Sequence, residues 1–551
     1  MKLHTSELLR GTLLYAPPHI AKILTKPAPS KILQGRHIYF PMKKLLIVLL
    51  FGVVPYLLLA QKHDYIWIAG DDNILNNQNS GGITIDFNQN PVNAYYNYRN
   101  LNMFVCNASI CDTSGKLIAY TNGCAINGAD DQMIDNGNNI NPGYLHNLSC
   151  IQYNRGYASG IQSAVFLPLP ESDSIYCLFH KPVKQVTMPV QDVYSDKLLL
   201  STVDLRFNNG LGKVVNKNVE LINDTLFGGE LVAVKNANGK DWWVVTTRRT
   251  NNVFYILKLT KEGIVDTFTQ AIGIKPSITG EGYGQMVFAP DGKTIYRTNP
   301  FNPIMVYSFD RELGYFTKFD TIHYDYGIQP LVGEIGCAVS PNGRFLYLGA
   351  RRNLYQLDLL ADDISASQTL VAEWDGFKDL LATLFSQLQL GPDCKIYGLA
   401  GGDTHFYHVI HNPDAPGLNC NVEQHGQAFP TRCGASMPSF PNFRLGPPEN
   451  PGLPCTSTVS TGGGPMSPLP ALSVFPNPAT TYVKLVVNQA LEQGATWHLF
   501  DLHGRLVRSA LLDTAQAGIE ISLAGLPAGA YFWSVDGKAG AVLLRGKVLV
   551  L

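Results

Sequence analysis

The chain has 551 residues, with 42 lysines and arginines against 43 aspartates and glutamates, and a net charge of −1. Only 15 % of it is charged, so nothing in the composition points to nucleic acid or an anionic membrane surface. Aromatic residues at 10 %, together with 51 glycines and 34 prolines, favour an all-β chain rich in turns.

Residues 1–41 mix basic residues and prolines without a hydrophobic period, and read as an extension from a mis-assigned start. Met42-Lys43-Lys44, an apolar run from Leu45 to Leu59, and then Ala60-Gln61 have the layout of a secretory signal peptide over 42–60. The run is shorter than the roughly 20 residues of a membrane span and contains Pro55, so a retained anchor is the weaker alternative. The mature protein is therefore expected to carry no stable transmembrane segment. All ten cysteines follow this leader, and an exported chain permits disulfides. The local candidates are Cys420 with Cys433 and Cys106 with Cys124, against a reading in which several stay buried as thiols. No CxxC pair is present to suggest zinc.

Residues 61–445 carry a repeat. Phe288-Ala289-Pro290-Asp291-Gly292-Lys293 leads to Ile295-Tyr296, Val339-Ser340-Pro341-Asn342-Gly343-Arg344 to Leu346-Tyr347, and Leu390-Gly391-Pro392-Asp393-Cys394-Lys395 to Ile396-Tyr397. The three prolines are spaced 51 residues apart, twice over. Proline sets φ at the first central turn position, Asp or Asn and then Gly accept the tighter conformations, and the flanking β-branched and aromatic residues suit strands. Weaker copies occur at Thr113-Ser114-Gly115, at Pro170 and at Asn236-Ala237-Asn238-Gly239. A strand unit repeated near every 50 residues predicts a β-propeller, with seven blades favoured and six or eight as alternatives. An array of β-sandwiches would not require such regular spacing.

Three stretches of this body resemble a family of exported, propeller-like proteins of Bacteroidetes. They are Gly115 to Cys124 with Met133 and Asn136-Gly137; Gln162 to Phe166 with Pro168, Pro170 and Ile175-Tyr176; and Leu388-Gln389-Leu390 through Asn412-Pro413, Gly417 and Cys420 to Pro438-Ser439-Phe440-Pro441-Asn442-Phe443. Cys394 departs from the family, whose repeat has Gly there, and is expected either to alter the turn or to be tied to a partner. The resemblance brings no established reaction.

Residues 446–470, rich in Pro, Gly, Ser and Thr, read as an extended linker. From 471 to 551 short strands alternate with His-Gly and Pro-Ala-Gly turns, which predicts a small β-sandwich. Four motifs follow one another here: Pro476-Asn477-Pro478 after Phe475, Asp501 with Gly504-Arg505, Leu526-Pro527 with Gly529 and Tyr531, and Gly546-Lys547. In that order they resemble the type A sorting domain of type IX secretion. The resemblance implies a partner in the type IX machinery, and a location secreted or on the outer-membrane surface.

Complete catalytic sets are missing from the sequence: it has no Gly-x-Ser-x-Gly elbow and no phosphate-binding glycine loop. His405, His408 and His411 are spaced like a metal cluster, but on a strand His408 points away from the other two, so separate roles at a blade turn or edge are expected. Asp71-Asp72-Asn73 and Asp130-Asp131 lack the spacing of a calcium loop and read as solvated loops. Glu230, Glu281 and Glu334 each follow a glycine, at odd offsets of 7, 9 and 7 residues before the repeated turn. Those offsets would place three carboxylates on one strand face, at a candidate channel mouth able to take a cation such as calcium, an amine or a sugar hydroxyl. Local hydrogen bonds between blades are the competing role. The function expected is a surface binding or adhesion module for a glycan or surface protein. The alternatives are a secreted hydrolase or lyase, lactonase-like or glycan-active, and a structural component of a surface layer or motility apparatus.

Overall fold

The repeated turns recur at one place in successive sheets. A computed structural model describes residues 61–550 apart from 72–80, 158–159, 187–191, 276–283, 326–334, 456–471, 476–478, 488–494, 513–518 and 538–541. The expected extension and leader lie outside these residues. Among those described, the body holds seven small antiparallel sheets. Sheet 1 is β1 (Ile66–Ala69), β2 (Ile83–Asp86) and β3 (Asn93–Tyr96); sheet 2 is β4 (Ala108–Cys111), β5 (Leu117–Thr121) and β6 (Ile126–Gly128). Sheet 3 contains β7 (Ala164–Pro168), β8 (Ile175–His180), β9 (Val183–Val186), β10 (Asp192–Asp204) and β11 (Lys213–Phe227).

The other four are four-stranded meanders. Sheet 4 runs β12 (Val232–Lys235), β13 (Trp242–Thr247), β14 (Val253–Thr260), β15 (Gly263–Ala271). Sheet 5 runs β16 (Met286–Phe288), β17 (Thr294–Arg297), β18 (Ile304–Asp310), β19 (Tyr315–Ile322). Sheet 6 runs β20 (Gly336–Val339), β21 (Phe345–Ala350), β22 (Asn353–Asp358), β23 (Thr369–Glu373). Sheet 7 runs β24 (Phe385–Leu390), β25 (Ile396–Ala400), β26 (Phe406–Ile410), β27 (Val422–Ala428).

Every repeat turn found in the sequence joins the first and second strands of a sheet, from sheet 2 to sheet 7. The turn needs a left-handed residue at its third position: Gly292 has φ 71° and Gly343 has φ 76°. Cys394 stands in the equivalent place with φ 65°.

Apolar residues on both faces of each sheet pack against its neighbours. Core clusters join sheets 1 and 2, sheets 2, 3 and 4, sheets 4 and 5, 5 and 6, and 6 and 7. A further cluster sets Trp67 and Ile85 of sheet 1 against Tyr397, Tyr407 and Val409 of sheet 7. The last sheet thus returns to the first, in the manner of a propeller, and no sheet closes on itself.

The C-terminal domain is a β-sandwich. One sheet orders β28 (Leu472–Phe475), β29 (Tyr482–Val487) and β32 (Ile519–Ser522). The other orders β31 (Leu506–Leu511), β30 (Thr496–Phe500), β33 (Gly529–Asp536) and β34 (Val542–Val550). Val483 and Leu485 of the first share a core with Trp497, Leu499 and Val535 of the second.

Two disulfides close loops in the body, and they are not the expected ones: Cys124 bonds Cys150, and Cys394 bonds Cys455. Cys106, Cys420 and Cys433 are buried thiols. Cys420 belongs to the core between sheets 6 and 7, and Cys433 to the core between sheets 7 and 1, so sheet 7 itself separates them. Cys106 shares a core with Cys124, whose sulfur is taken by Cys150. The bridge to Cys455 pins residues 446–455, the start of the expected linker, to the turn between β24 and β25.

Candidate functional site

The first strand of each sheet faces the axis of the body, and the residues just before those strands tie the sheets together. Gln162, ahead of β7, donates Nε2 to the Met286 carbonyl (2.8 Å) and accepts the Met286 N–H (2.9 Å). Gln285, ahead of β16, donates to the Leu388 carbonyl (2.7 Å) and accepts from the Cys337 and Leu388 amides. Each glutamine side chain thereby replaces a missing strand neighbour, reaching from sheet 3 to sheet 5 and from sheet 5 to sheets 6 and 7.

The axis itself is occupied by the chain. Residues 436–445 include the motif Pro438 to Phe443, whose prolines hold it extended. Ser436 accepts from Asn107 beside sheet 2 (2.8 Å), and Ser439 from Gln162 beside sheet 3 (3.1 Å). The Phe440 amide donates to Gln389 of sheet 7 (3.2 Å), while its ring lies 5.9 Å from Trp67 of sheet 1. Asn442 donates to the Pro290 carbonyl after β16 (2.9 Å), and Phe443 meets Trp242 of sheet 4 edge-on at 5.7 Å. A single segment that touches sheets 1, 2, 3, 4, 5 and 7 lies on their common axis. Beside it remains a pocket of about 80 Å³, lined by the first strands of sheets 3 to 7. That is room for about two or three waters.

Arg444 ends the segment in a buried ion pair. Its Nη1 and Nη2 lie 2.6 and 2.7 Å from the Asp64 carboxylate, and its Nε donates to the Pro454 carbonyl (2.9 Å). One guanidinium thus holds the first residues of the body, the axial segment and the stretch leading to Cys455.

Of the three candidate carboxylates, Glu281 and Glu334 lie outside the described residues. Glu230 does not sit on a strand face. It precedes β12 with φ 53°, is 2 % exposed, and pairs with Arg297 Nε at 2.7 Å, Arg297 being 1 % exposed. The Thr247 hydroxyl donates to its second oxygen. Lys181 is buried close by, donating to the Phe227 carbonyl (2.9 Å) and to the Gly229 carbonyl. Burial pushes this lysine down to about 7, Glu230 opposing the shift. The competing role, a local bond between elements, is what Glu230 has: its partner Arg297 belongs to sheet 5. The odd-offset argument failed here because the chain turns through a left-handed residue at Glu230, which breaks the strand alternation.

The three spaced histidines have separate partners. His405 Nδ1 lies 2.7 Å from Asp379, and His411 Nε2 2.7 Å from Glu423. His408 is buried between the Thr383 carbonyl (3.1 Å) and the His425 amide (3.2 Å), and burial, reinforced by His425, pushes it down to about 3. Asp131 is structural rather than solvated: it accepts from Asn97 (2.7 Å) and Tyr120 (2.9 Å) and pairs with Arg99 (3.1 Å). Asp71 is described, while Asp72 and Asn73 lie outside the described residues. Among the described residues no group of three or more His, Cys, Asp or Glu side chains is placed to hold a metal.

The profile of the secretion system C-terminal sorting domain family matches residues 473–548. The C-terminal sandwich is a type IX secretion sorting domain. The chain is accordingly exported to the cell surface or outer membrane. No helix among the described residues is long and apolar enough to cross a membrane.

Within the sorting domain the motifs have local structural roles. Asp501 accepts the amides of His503 and Arg505 and pairs with the Arg505 guanidinium at 2.6 Å, closing the turn at Gly504. The Tyr531 hydroxyl donates to the Pro527 carbonyl (2.8 Å), and Leu526 packs on the core. Gly546 lies opposite Trp533, whose ring covers the space a Cβ would need. Lys547 continues β34, and Pro476, Asn477 and Pro478 lie outside the described residues.

Solved structures similar to the chain include a putative 6-phosphogluconolactonase from Bacteroides uniformis, at 15 % identity over 63 % of this chain and 78 % of that one, with TM-score 0.30. PorZ, a surface component of the type IX secretion system of Porphyromonas gingivalis, aligns at 11 % identity over 86 % and 68 %, with TM-score 0.24. The extracellular domain of BT4673 from B. thetaiotaomicron aligns at 11 % over 89 % and 55 %, with TM-score 0.35. No curated protein sequence matches the chain.

Proposed function

We propose that this exported protein is a binding module displayed at the cell surface, with one propeller blade per sheet and no hydrolytic role for its candidate carboxylates. Its organisation is a leader over 42–60, a body from 61 to Cys455, a short linker and the sorting domain. The pairing of Glu230 with Arg297 carries the reading. A carboxylate 2 % exposed, with one oxygen on a guanidinium and the other on a threonine hydroxyl, is out of reach of a substrate, which argues against its acting as acid or nucleophile. The occupied axis supports the same reading, since among the described residues it leaves only a pocket of about 80 Å³ at the centre.

The test is to incubate the exported chain with a glycan array, with extracted surface proteins, and with lactone and glycoside substrates. Retention of a defined ligand without turnover is expected. Turnover that Glu281→Gln abolishes would replace this reading with the hydrolase one, and failure to retain anything would favour a structural surface component.

A further inference from the structure

A larger cavity lies at the opposite end of the sheets from Glu230. The turns after β4, β7 and β12 converge there with Gln61 around about 490 Å³, within the usual range for a small-molecule site. Three side chains, each at least 95 % buried, bring polar tips to it. Tyr176, 2 % exposed, lines the cavity, and its hydroxyl makes no hydrogen bond among the described residues. His63, 3 % exposed, gives its Nδ1 hydrogen to the Cys111 carbonyl at 2.6 Å, which leaves Nε2 as an acceptor. Lys235, 5 % exposed, donates to Gln61 Oε1 at 2.5 Å and has further donor capacity.

Their protonation states make donors of Tyr176 and Lys235 and an acceptor of His63. Burial, with the Asp112 and Asp173 carboxylates adding to it, holds the Tyr176 phenol well above its ordinary range, so it remains a donor. Burial keeps His63 below its usual value and therefore neutral, and pushes Lys235 down to about 8. Asp112, Asp173 and the Glu171–Lys240 ion pair also line the cavity, so carboxylates outnumber ammonium groups at its rim. Trp242 walls it, and the axial Phe443 packs behind that wall, 5.7 Å from the Trp242 ring and 5.2 Å from the His63 ring, so the polar tips are held by packing. Donors and an acceptor spaced around a partly apolar wall match the alternating hydroxyls of a sugar, and the acidic rim disfavours a carboxylated one.

We infer that this cavity, floored by Tyr176, His63 and Lys235, is a binding site for a neutral saccharide. The inference rests on the binding reading above, but places the ligand at the turn end of sheets 2 to 4 and not at the channel mouth.

Saturation-transfer NMR on the exported chain, from Gln61 to Leu551, with galactose, N-acetylglucosamine, lactose and galacturonate tests it. At least one neutral sugar is expected to receive saturation, with galacturonate at least tenfold weaker and Tyr176→Phe weakening the neutral sugar at least tenfold. Because the Tyr176 hydroxyl has no partner among the described residues, that variant is expected to melt with the wild type. A sugar bound equally by wild type and Tyr176→Phe overturns this site while leaving the binding reading intact. Preference for galacturonate, or no binding by any of the four, overturns the ligand class. Retention of a surface protein in the broader screen would then separate that failure from failure of the binding reading itself.

Discussion

Arg444 and Asp64 form a buried bidentate ion pair, 7 % and 4 % exposed, between the last turn of the axial segment and the approach to the first strand. Among the described residues no sheet of the body contains strands from both of its ends, so the pair joins them where a shared sheet would otherwise do so.

Removing one partner leaves an uncompensated charge in a dry site. Arg444→Met is expected to cost about 3–5 kcal/mol in denaturant unfolding. Pairing it with Asp64→Leu should recover part of the loss, which a double-mutant cycle reads directly. Additive losses would show that the two charges do not depend on one another.

The Cys394–Cys455 bridge sits between the axial segment and everything C-terminal to it. It closes a loop of 61 residues, so opening it is expected to cost about 2–4 kcal/mol. Reduction by a dithiol, which supplies two electrons and two protons, should speed amide exchange first at 436–455. Trypsin should then cut after Arg444, which the closed bridge keeps buried. A Cys124→Ser/Cys150→Ser background assigns the effect to this bridge alone.

Stability should fall with acid. His180 and His408 are both pushed down to about 3 by burial, from an unfolded value near 6.5. Between those values the unfolded chain binds more protons than the folded one, so their contribution is complete above pH 6.5 and is lost as the pH falls towards 3. Each should remove about 2 kcal/mol between pH 6.5 and pH 5. Urea midpoints across that range measure the slope, and His408→Gln should flatten it.

Glu230→Gln separates structure from chemistry at the candidate mouth. It removes the carboxylate charge from beside the buried Arg297 and Lys181, and is expected to destabilise the body by about 3 kcal/mol. Ligand retention at a temperature where the variant remains folded should equal that of the wild type.

Local chemistry was legible in the sequence. The proline-led turns spaced 51 residues apart placed the first hairpins of sheets 5 to 7, and their weaker copies those of sheets 2 to 4, because a turn is specified by the few residues that form it. The order of the sorting-domain motifs was legible for the same reason, and with it the export of the chain. Cys394 was marked as a departure from its repeat, and it proved to be bonded, though nothing nearby identified Cys455.

The candidate site was much less legible. Cys420 and Cys433 are thirteen residues apart, yet they lie on opposite faces of one sheet. Glu230 looked like a strand residue and is instead held by an arginine 67 positions away. Gln162, Gln285 and Arg444 carry no sequence signal for the roles they take, since each acts on a distant backbone or carboxylate. By itself, then, the sequence determined the destination of the protein, its all-β repeat and the chemistry of its turns. Only the tertiary structure decided that the chain's own C-terminal segment fills the axis, and that polar groups from three separate turns meet at Tyr176. Turns are short-range and written in adjacent residues, whereas an axis or a cavity exists only once sheets distant in sequence have packed.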